Sequence, residues 1–268
     1  MSKRLIQCAQ VIALSIACTA TAYANEAYQQ QITLSRPTAG AAPTKQCVVL
    51  LHGLARTASS MNSLADYLVN NNYIVANIDY PSRQFPISEL AENTVPAGIQ
   101  ACLAAGASEV SFVTHSLGGI MLRYYAEQKT ELDIHRAVLL GPPNHGSEVV
   151  DNMRDVPGYK WLNGPAGQQL GTDNASVPSS LGAVNFDTAV VAGTFSINLV
   201  LSTYLPDPDD GKVSVESSKV DNMCAHLQMD VSHPYLMKDD DIIAEVLNYL
   251  KDGRFESTAA EYPDCSFR

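Results

Sequence analysis

The chain has 268 residues, 46% of them apolar, with 17 Lys+Arg against 28 Asp+Glu and a net charge of −11. That length and apolar share suit one α/β domain with a small insertion, whose core is large enough to offset chain entropy. The acidic balance excludes nucleic acid as a natural partner, because a polyanion is repelled.

The first segment reads as a secretory leader. Lys3 and Arg4 give a basic start, Val11 to Ala17 an apolar stretch, and Ala22-Tyr23-Ala24 the small residues read by a signal peptidase. Cleavage is expected after Ala24, with the product in the periplasm or outside the cell. The apolar stretch falls short of the ~20 residues that span a bilayer. Lipoprotein processing at Cys18 is the weaker rival, since Ser15-Ile16-Ala17-Cys18 lacks leucine three before the cysteine. Residues 25–268 then form a single domain with 15 Lys+Arg against 28 Asp+Glu, a net of −13. Cys47, Cys102, Cys224 and Cys265 remain. An even count in an exported chain points to two disulfides, with three pairings available. The preferred one is Cys47–Cys102 with Cys224–Cys265. Cys47 starts a strand, and Cys102 ends the helix that returns to the same sheet edge. Each bridge is worth about 4 kcal/mol in the chain-entropy model.

Gln31 to Ser35 reads as a short strand and residues 37–44 as a Pro/Gly/Ala-rich linker. Val48 to Leu51 is a buried strand. Ala58 to Asn70 has helical spacing at Met61, Leu64, Ala65 and Leu68. Tyr73 to Ile78 is a strand. Ile87 to Ala105 is a helix, capped by Ser88 or the preceding turn, with Pro96 as a kink or break. Val110 to Thr114 is a strand, Leu117 to Gln128 a helix, and Arg136 to Leu140 the next strand. This alternation implies a mostly parallel sheet flanked by helices, with ligands at the carboxyl ends of the strands. Residues 148–186 carry many Gly and Pro and read as an irregular insertion, a small cap or lid over the site. Thr188 to Gly193 resumes the strand pattern. Phe195 to Leu205 is apolar enough to be an acyl-binding loop or a short buried helix. Ala225 to Val231 is the last strand and Asp239 to Leu250 the last helix. Its Asp239-Asp240-Asp241 start complements the helix dipole, with calcium binding as the lesser reading.

The chemistry centres on Thr114-His115-Ser116-Leu117-Gly118, at the strand-to-helix junction. A serine there adopts a strained turn that lifts its hydroxyl above the sheet. Serine needs an adjacent base. Of six histidines, His233 falls just after the last strand, with His226 as the fallback. His115 neighbours the serine but points to the opposite strand face. His52 braces its own turn, His135 sits at the wrong strand end, and His145 lines the pocket behind the reacting groups. The acid that orients the imidazole comes from Asp207-Pro208-Asp209-Asp210-Gly211: Asp210 first, Asp209 second. Backbone N–H groups of Leu117 and Leu54 are placed to receive a carbonyl oxyanion. Arg56 either orders that loop or is a surface cation.

The stretches Val48–Leu54, Thr114–Gly119, Gly141-Pro142-Pro143-Asn144-His145-Gly146-Ser147, Asp209–Val213 and Ser232-His233 together resemble secreted bacterial α/β-hydrolase lipases and esterases. The order Ser, Asp, His fits that fold. Thr114 departs from the usual glycine or alanine. The resemblance implies the α/β-hydrolase fold. It also implies Ser116 as nucleophile, His233 as base, Asp210 as acid, Leu54 and Leu117 as oxyanion donors, and no cofactor. The expected activity is hydrolysis of small-molecule or lipid carboxylic esters, with transient contact at a lipid interface. An amidase, peptidase or acyltransferase would use the same triad. A non-catalytic binding protein on this scaffold is the remaining rival.

Overall fold

Long apolar runs bounded by turns become the strands of one seven-stranded sheet, in the order β1-β3-β2-β4-β5-β6-β7. The computed structural model describes residues 28–37, 44–129 and 132–267. The expected leader, residues 1–24, lies outside them, as does most of the 37–44 linker. The strands are β1 (Gln31–Ser35), β2 (Gln46–Leu51), β3 (Ile74–Asp79), β4 (Glu109–His115), β5 (Ala137–Leu140), β6 (Thr188–Gly193) and β7 (Ala225–Met229). Only β1 runs antiparallel, against β3. The rest pair in parallel. The parallel strands are apolar along their length because both sheet faces are covered. On one face Val48, Leu50, Val113 and Val138 pack with α1 (Asn62–Asn70) and α9 (Asp240–Asp252), through Leu64, Leu68, Val246 and Tyr249. On the other, Val49 meets Gly98 of α2 (Ile87–Ala104), and Leu51 meets Gly118 of α3 (Leu117–Gln128). This is the α/β-hydrolase fold.

The chain leaves β2 for β3 on one side, then crosses back to β4 on the other. The carboxyl ends of β2 and β4 therefore flank a topological switch point, where such sheets bind ligands. The helix over 87–104 continues through Pro96 without a break. Ser88 does not cap it. Pro86 stands at the cap position, and the Ile87 N–H donates instead to Gln169 Oε1 at 2.8 Å. Asp239 caps α9 by accepting from the Ile242 N–H at 3.1 Å, and Gly253 closes it in the left-handed conformation. Cys47–Cys102 and Cys224–Cys265 are both bridged, with Cα separations of 5.7 and 5.1 Å. The first ties the start of β2 to the end of α2, within ordinary disulfide reach.

Residues 148–186 hold three short helices: α4 (Glu148–Met153), α5 (Tyr159–Gln168) and α6 (Val177–Ser180). The α5 helix is kinked at Gly164-Pro165, where Gly164 takes φ 66°. Arg154 bridges Asp151 and Asp173 and so fastens α4 to the loop that follows α5. The 195–205 connection contains α7 (Leu199–Ser202), capped by Asn198. It is not a buried helix: Leu199 is 76% and Val200 69% exposed. It is anchored by Ser202 Oγ, which donates to Asp209 Oδ1 at 2.8 Å, and by the buried Leu205, while Phe195, Ile197, Leu199 and Val200 are exposed. The last short helix, α8 (Val215–Ser218), follows the Asp209–Val213 loop.

Candidate active site

Ser116 is the junction between β4 and α3, with φ 52° and ψ −119°. A side chain at positive φ crowds the backbone, so the conformation persists only where its surroundings impose it. Here the Ser116 N–H donates to Leu140 O and the Ser116 carbonyl accepts from the Gly119 N–H, both at 2.9 Å. A methyl on Gly118 would stand 2.7 Å from Leu51 O and 2.9 Å from Leu51 Cβ, so only glycine lets α3 approach β2 this closely. Thr114 is fully buried, with no partner for its Oγ1 among the described residues. The missing side chain of Gly119 makes the room: a Cβ there would lie 3.2 Å from that oxygen.

The second element is the loop from Asp209 to Val213. Asp210 is buried, and its Oδ1 accepts from the Lys212 and Val213 N–H groups at 3.0 and 2.8 Å. Its Oδ2 meets His233 Nδ1 at 2.7 Å. The His233 N–H also donates to the Asp210 carbonyl, at 3.0 Å. A carboxylate can only accept, so Nδ1 carries the proton and Nε2 keeps the lone pair. Asp209 serves the backbone instead, its Oδ1 accepting from Gly211 N–H at 2.7 Å and from Ser202 Oγ. It holds the loop and does not reach the histidine; Asp207 is exposed on the same loop.

Ser116 and His233 line one cavity of about 290 Å³, at the lower end of small-molecule sites. Leu54 lies on its wall, and Leu117 is the first residue of α3. Neither of these two amides donates to a protein acceptor among the described residues. Gly53 is needed for close packing. A Cβ on it would stand 2.6 Å from His115 Nδ1. The apolar wall comes from α4 and α5, through Val149, Val150 and Leu162. The 195–205 segment contributes no residue to the lining of this cavity.

The other histidines divide sharply. His115 is fully buried, lines the cavity, and donates from Nε2 to the His233 carbonyl at 3.0 Å. Burial first, and the neighbouring His233 second, hold it well below the usual range, so it is neutral. It is therefore a close neighbour of the site and not a bystander on the far strand face. His52 stacks on Tyr80, with ring centroids 4.0 Å apart, and receives the Tyr80 hydroxyl on its carbonyl. It braces the turn. His226 is buried beside Ser218 and pushed down to about 4 by desolvation. It does not line the cavity. His145, expected to line it, is exposed and faces a different surface hollow with Glu216 and Lys219. Its N–H is drawn to the Ser217 carbonyl, which turns the residue away. His135 sits near Glu109, at the opposite end of the sheet.

Two residues escaped the sequence reading. Arg123, on the buried side of α3, donates to Asn144 Oδ1 and to the Asn144 and Gly182 carbonyls. Asn144 in turn donates to Ser218 O at 2.7 Å. This pair locks the turn after β5. Lys212 lines the cavity beside His233. Its position two residues past the acid was the available signal.

No family model matches the chain. Two curated triacylglycerol lipases, from Pseudarthrobacter phenanthrenivorans and Burkholderia plantarii, are each 31% identical over 125 residues, 43% of this chain. That stretch covers 38% and 34% of those proteins, so the match spans little more than a third of their length. Among solved structures, the mature form of Bacillus licheniformis lipase BlEst2 superposes with a TM-score of 0.67 at 18% identity, covering 82% of this chain and 98% of that one. A soluble variant of Saccharomyces cerevisiae monoglyceride lipase gives 0.57 at 14% identity, covering 85% and 93%. The architecture is thus the α/β-hydrolase fold, and over 125 residues the sequence is similar to bacterial triacylglycerol lipases.

Proposed function

We propose that the chain is a carboxylic ester hydrolase that works through an acyl-enzyme. Ser116 is the nucleophile, His233 the general base, and Asp210 the group that orients the imidazole and stabilises its charged form. The observation that carries this reading is that a serine strained to φ 52° and an aspartate-held histidine open on one cavity. Ser116 Oγ attacks the ester carbonyl carbon as its proton passes to His233 Nε2. The C–O bond then breaks and the imidazolium returns the proton to the departing alcohol. Water, deprotonated by the same nitrogen, attacks the acyl-enzyme and releases the acid and Ser116. The uncommitted Leu54 and Leu117 amides receive the developing oxyanion, each worth roughly 3 kcal/mol of barrier.

The apolar wall supports an apolar acyl group, and the modest volume favours a short one. Residues 148–186 serve as the cap that carries this wall. The leader over residues 1–24 directs the protein to the periplasm or the exterior. Ser116→Ala should abolish hydrolysis of a chromogenic short-chain ester and labelling by a fluorophosphonate probe, with the fold intact by circular dichroism. Retained turnover in that variant would refute the assignment. An acyl-length series measured below and above substrate solubility separates esterase from lipase behaviour.

A further inference from the structure

The cavity's charge runs against that of the whole chain. The sequence holds 28 Asp+Glu against 17 Lys+Arg, yet the lining includes Arg56 and Lys212 and no Asp or Glu. Elsewhere some cations are paired, Arg154 with Asp151 and Asp173, Lys219 with Glu216 and Arg136 with Asp187, while the unpaired ones do not line this cavity. Among the described residues, neither the Arg56 guanidinium nor the Lys212 ammonium has an ion pair or a hydrogen bond. The nearby carboxylate, Asp210, is already committed to His233 and two amides.

The backbone that carries each cation is tied to the candidate reacting groups. The Lys212 N–H donates to Asp210 Oδ1 at 3.0 Å, and its carbonyl accepts from Ser147 Oγ at 2.6 Å. The Arg56 N–H donates to Gly53 O at 3.2 Å, closing the turn that carries the Leu54 amide. The Lys212 ammonium is held below its usual range, first by desolvation and also by the field of Arg56, while Asp210 opposes the shift. Two like charges therefore stand on the wall of one cavity. An anion placed between them would relieve their repulsion.

We propose that the ester taken by this site carries an anionic group, a carboxylate or a phosphate, which Arg56 and Lys212 bind beside the scissile bond. The proposal rests on the hydrolase reading above and names its substrate class. It makes the two cations specificity determinants with no part in the proton transfers.

Two matched substrate pairs test it. One sets mono-4-nitrophenyl glutarate against 4-nitrophenyl butyrate and places the carboxylate in the acyl half. The other sets 1-butyrylglycerol 3-phosphate against 1-butyrylglycerol and places the phosphate in the alcohol half. In at least one pair the anionic ester should lead by about tenfold in kcat/KM, and the lead should shrink in 0.5 M NaCl. In Lys212→Met and Arg56→Met together, the ratio should fall to near one. Equal or neutral-favouring ratios in both pairs, or a ratio untouched by the double substitution, would overturn the proposal. Calorimetry on Ser116→Ala separates this failure from that of the hydrolase reading. Monomethyl glutarate should bind about tenfold tighter than methyl butyrate and lose that advantage with the two cations. Such binding without turnover of any ester by the unmodified protein would remove the nucleophile assignment and leave the anion site standing, whereas equal binding both of these two esters and of 1-butyrylglycerol 3-phosphate and 1-butyrylglycerol removes the anion site.

Discussion

The turn at 114–119 and the loop at 207–213 deliver Ser116 and Asp210 by opposite means. The turn is held by absent atoms: glycine at 118 lets α3 close on Leu51, and glycine at 119 leaves room for Thr114. The loop is held by charge. Asp209 gathers Gly211 N–H and Ser202 Oγ, while Asp210 gathers two amides and the imidazole. The turn should be intolerant of added volume and indifferent to charge, and the loop the reverse. Within the loop, two adjacent aspartates take different partners, Asp209 the Gly211 amide and Ser202, and Asp210 two amides and the His233 ring.

The largest effect expected is that of Asp210→Asn. The amide keeps an acceptor for Lys212 and Val213 N–H but presents a donor to His233, which favours the wrong tautomer. The kcat should fall by about 10⁴ with little change in the denaturation midpoint; a small loss in kcat would dissolve the division of labour between the two aspartates. Next comes acid. His226, depressed to about 4, stays neutral in the fold while the unfolded chain takes up a proton below about pH 6.5. Its share of stability is present above 6.5 and lost as pH falls toward 4, on the order of 3 kcal/mol in all. Buried His115, which joins the two regions through the His233 carbonyl, acts in the same direction. The guanidinium midpoint should therefore drop between pH 7 and 5, and His226→Gln should flatten the slope. An unchanged slope would take His226 out of the account.

Gly118→Ala tests the steric half. With the added carbon 2.7 Å from a backbone oxygen, it should destabilise by roughly 1–3 kcal/mol and lower activity as Ser116 shifts. Full stability and activity would show that the turn is not volume-limited. The smallest effect is expected from Asp209→Ala, about 1–2 kcal/mol from the orphaned Gly211 N–H and Ser202 hydroxyl. Activity should fall several-fold and not by orders of magnitude, the contrast with Asp210 being the quantity to measure.

Much of the architecture was legible because its signals are local. Val48–Leu51 and Ala137–Leu140 are apolar at every position, which marks a strand covered on both faces, and they are buried throughout. The cysteine pairing followed from which sheet edge each element returns to. Other features depended on partners distant in sequence. Pro96 did not end its helix, and Ile87 was capped by Gln169, 82 residues away. His145 was expected at the pocket because it follows a strand on that face, and the 195–205 segment was read from its composition as an acyl-binding loop or a short buried helix. Most of the segment faces outward, held by Asn198, which accepts from the Leu201 N–H, and by Ser202, which donates to Asp209, while Leu205 alone of its large apolar side chains is buried.

The order of strands and helices, the serine at a strand-to-helix turn and the candidate acids and bases were set by the sequence alone, since each rests on periodicity or on neighbouring residues. The tertiary structure decided that Asp210 and not Asp209 meets His233, that His115 borders the cavity, and that two cations face it unpaired. Those outcomes depend on how loops from separate strands converge at the sheet's carboxyl edge. Side-chain distances there are fixed by packing across tens of residues, and no local pattern encodes them.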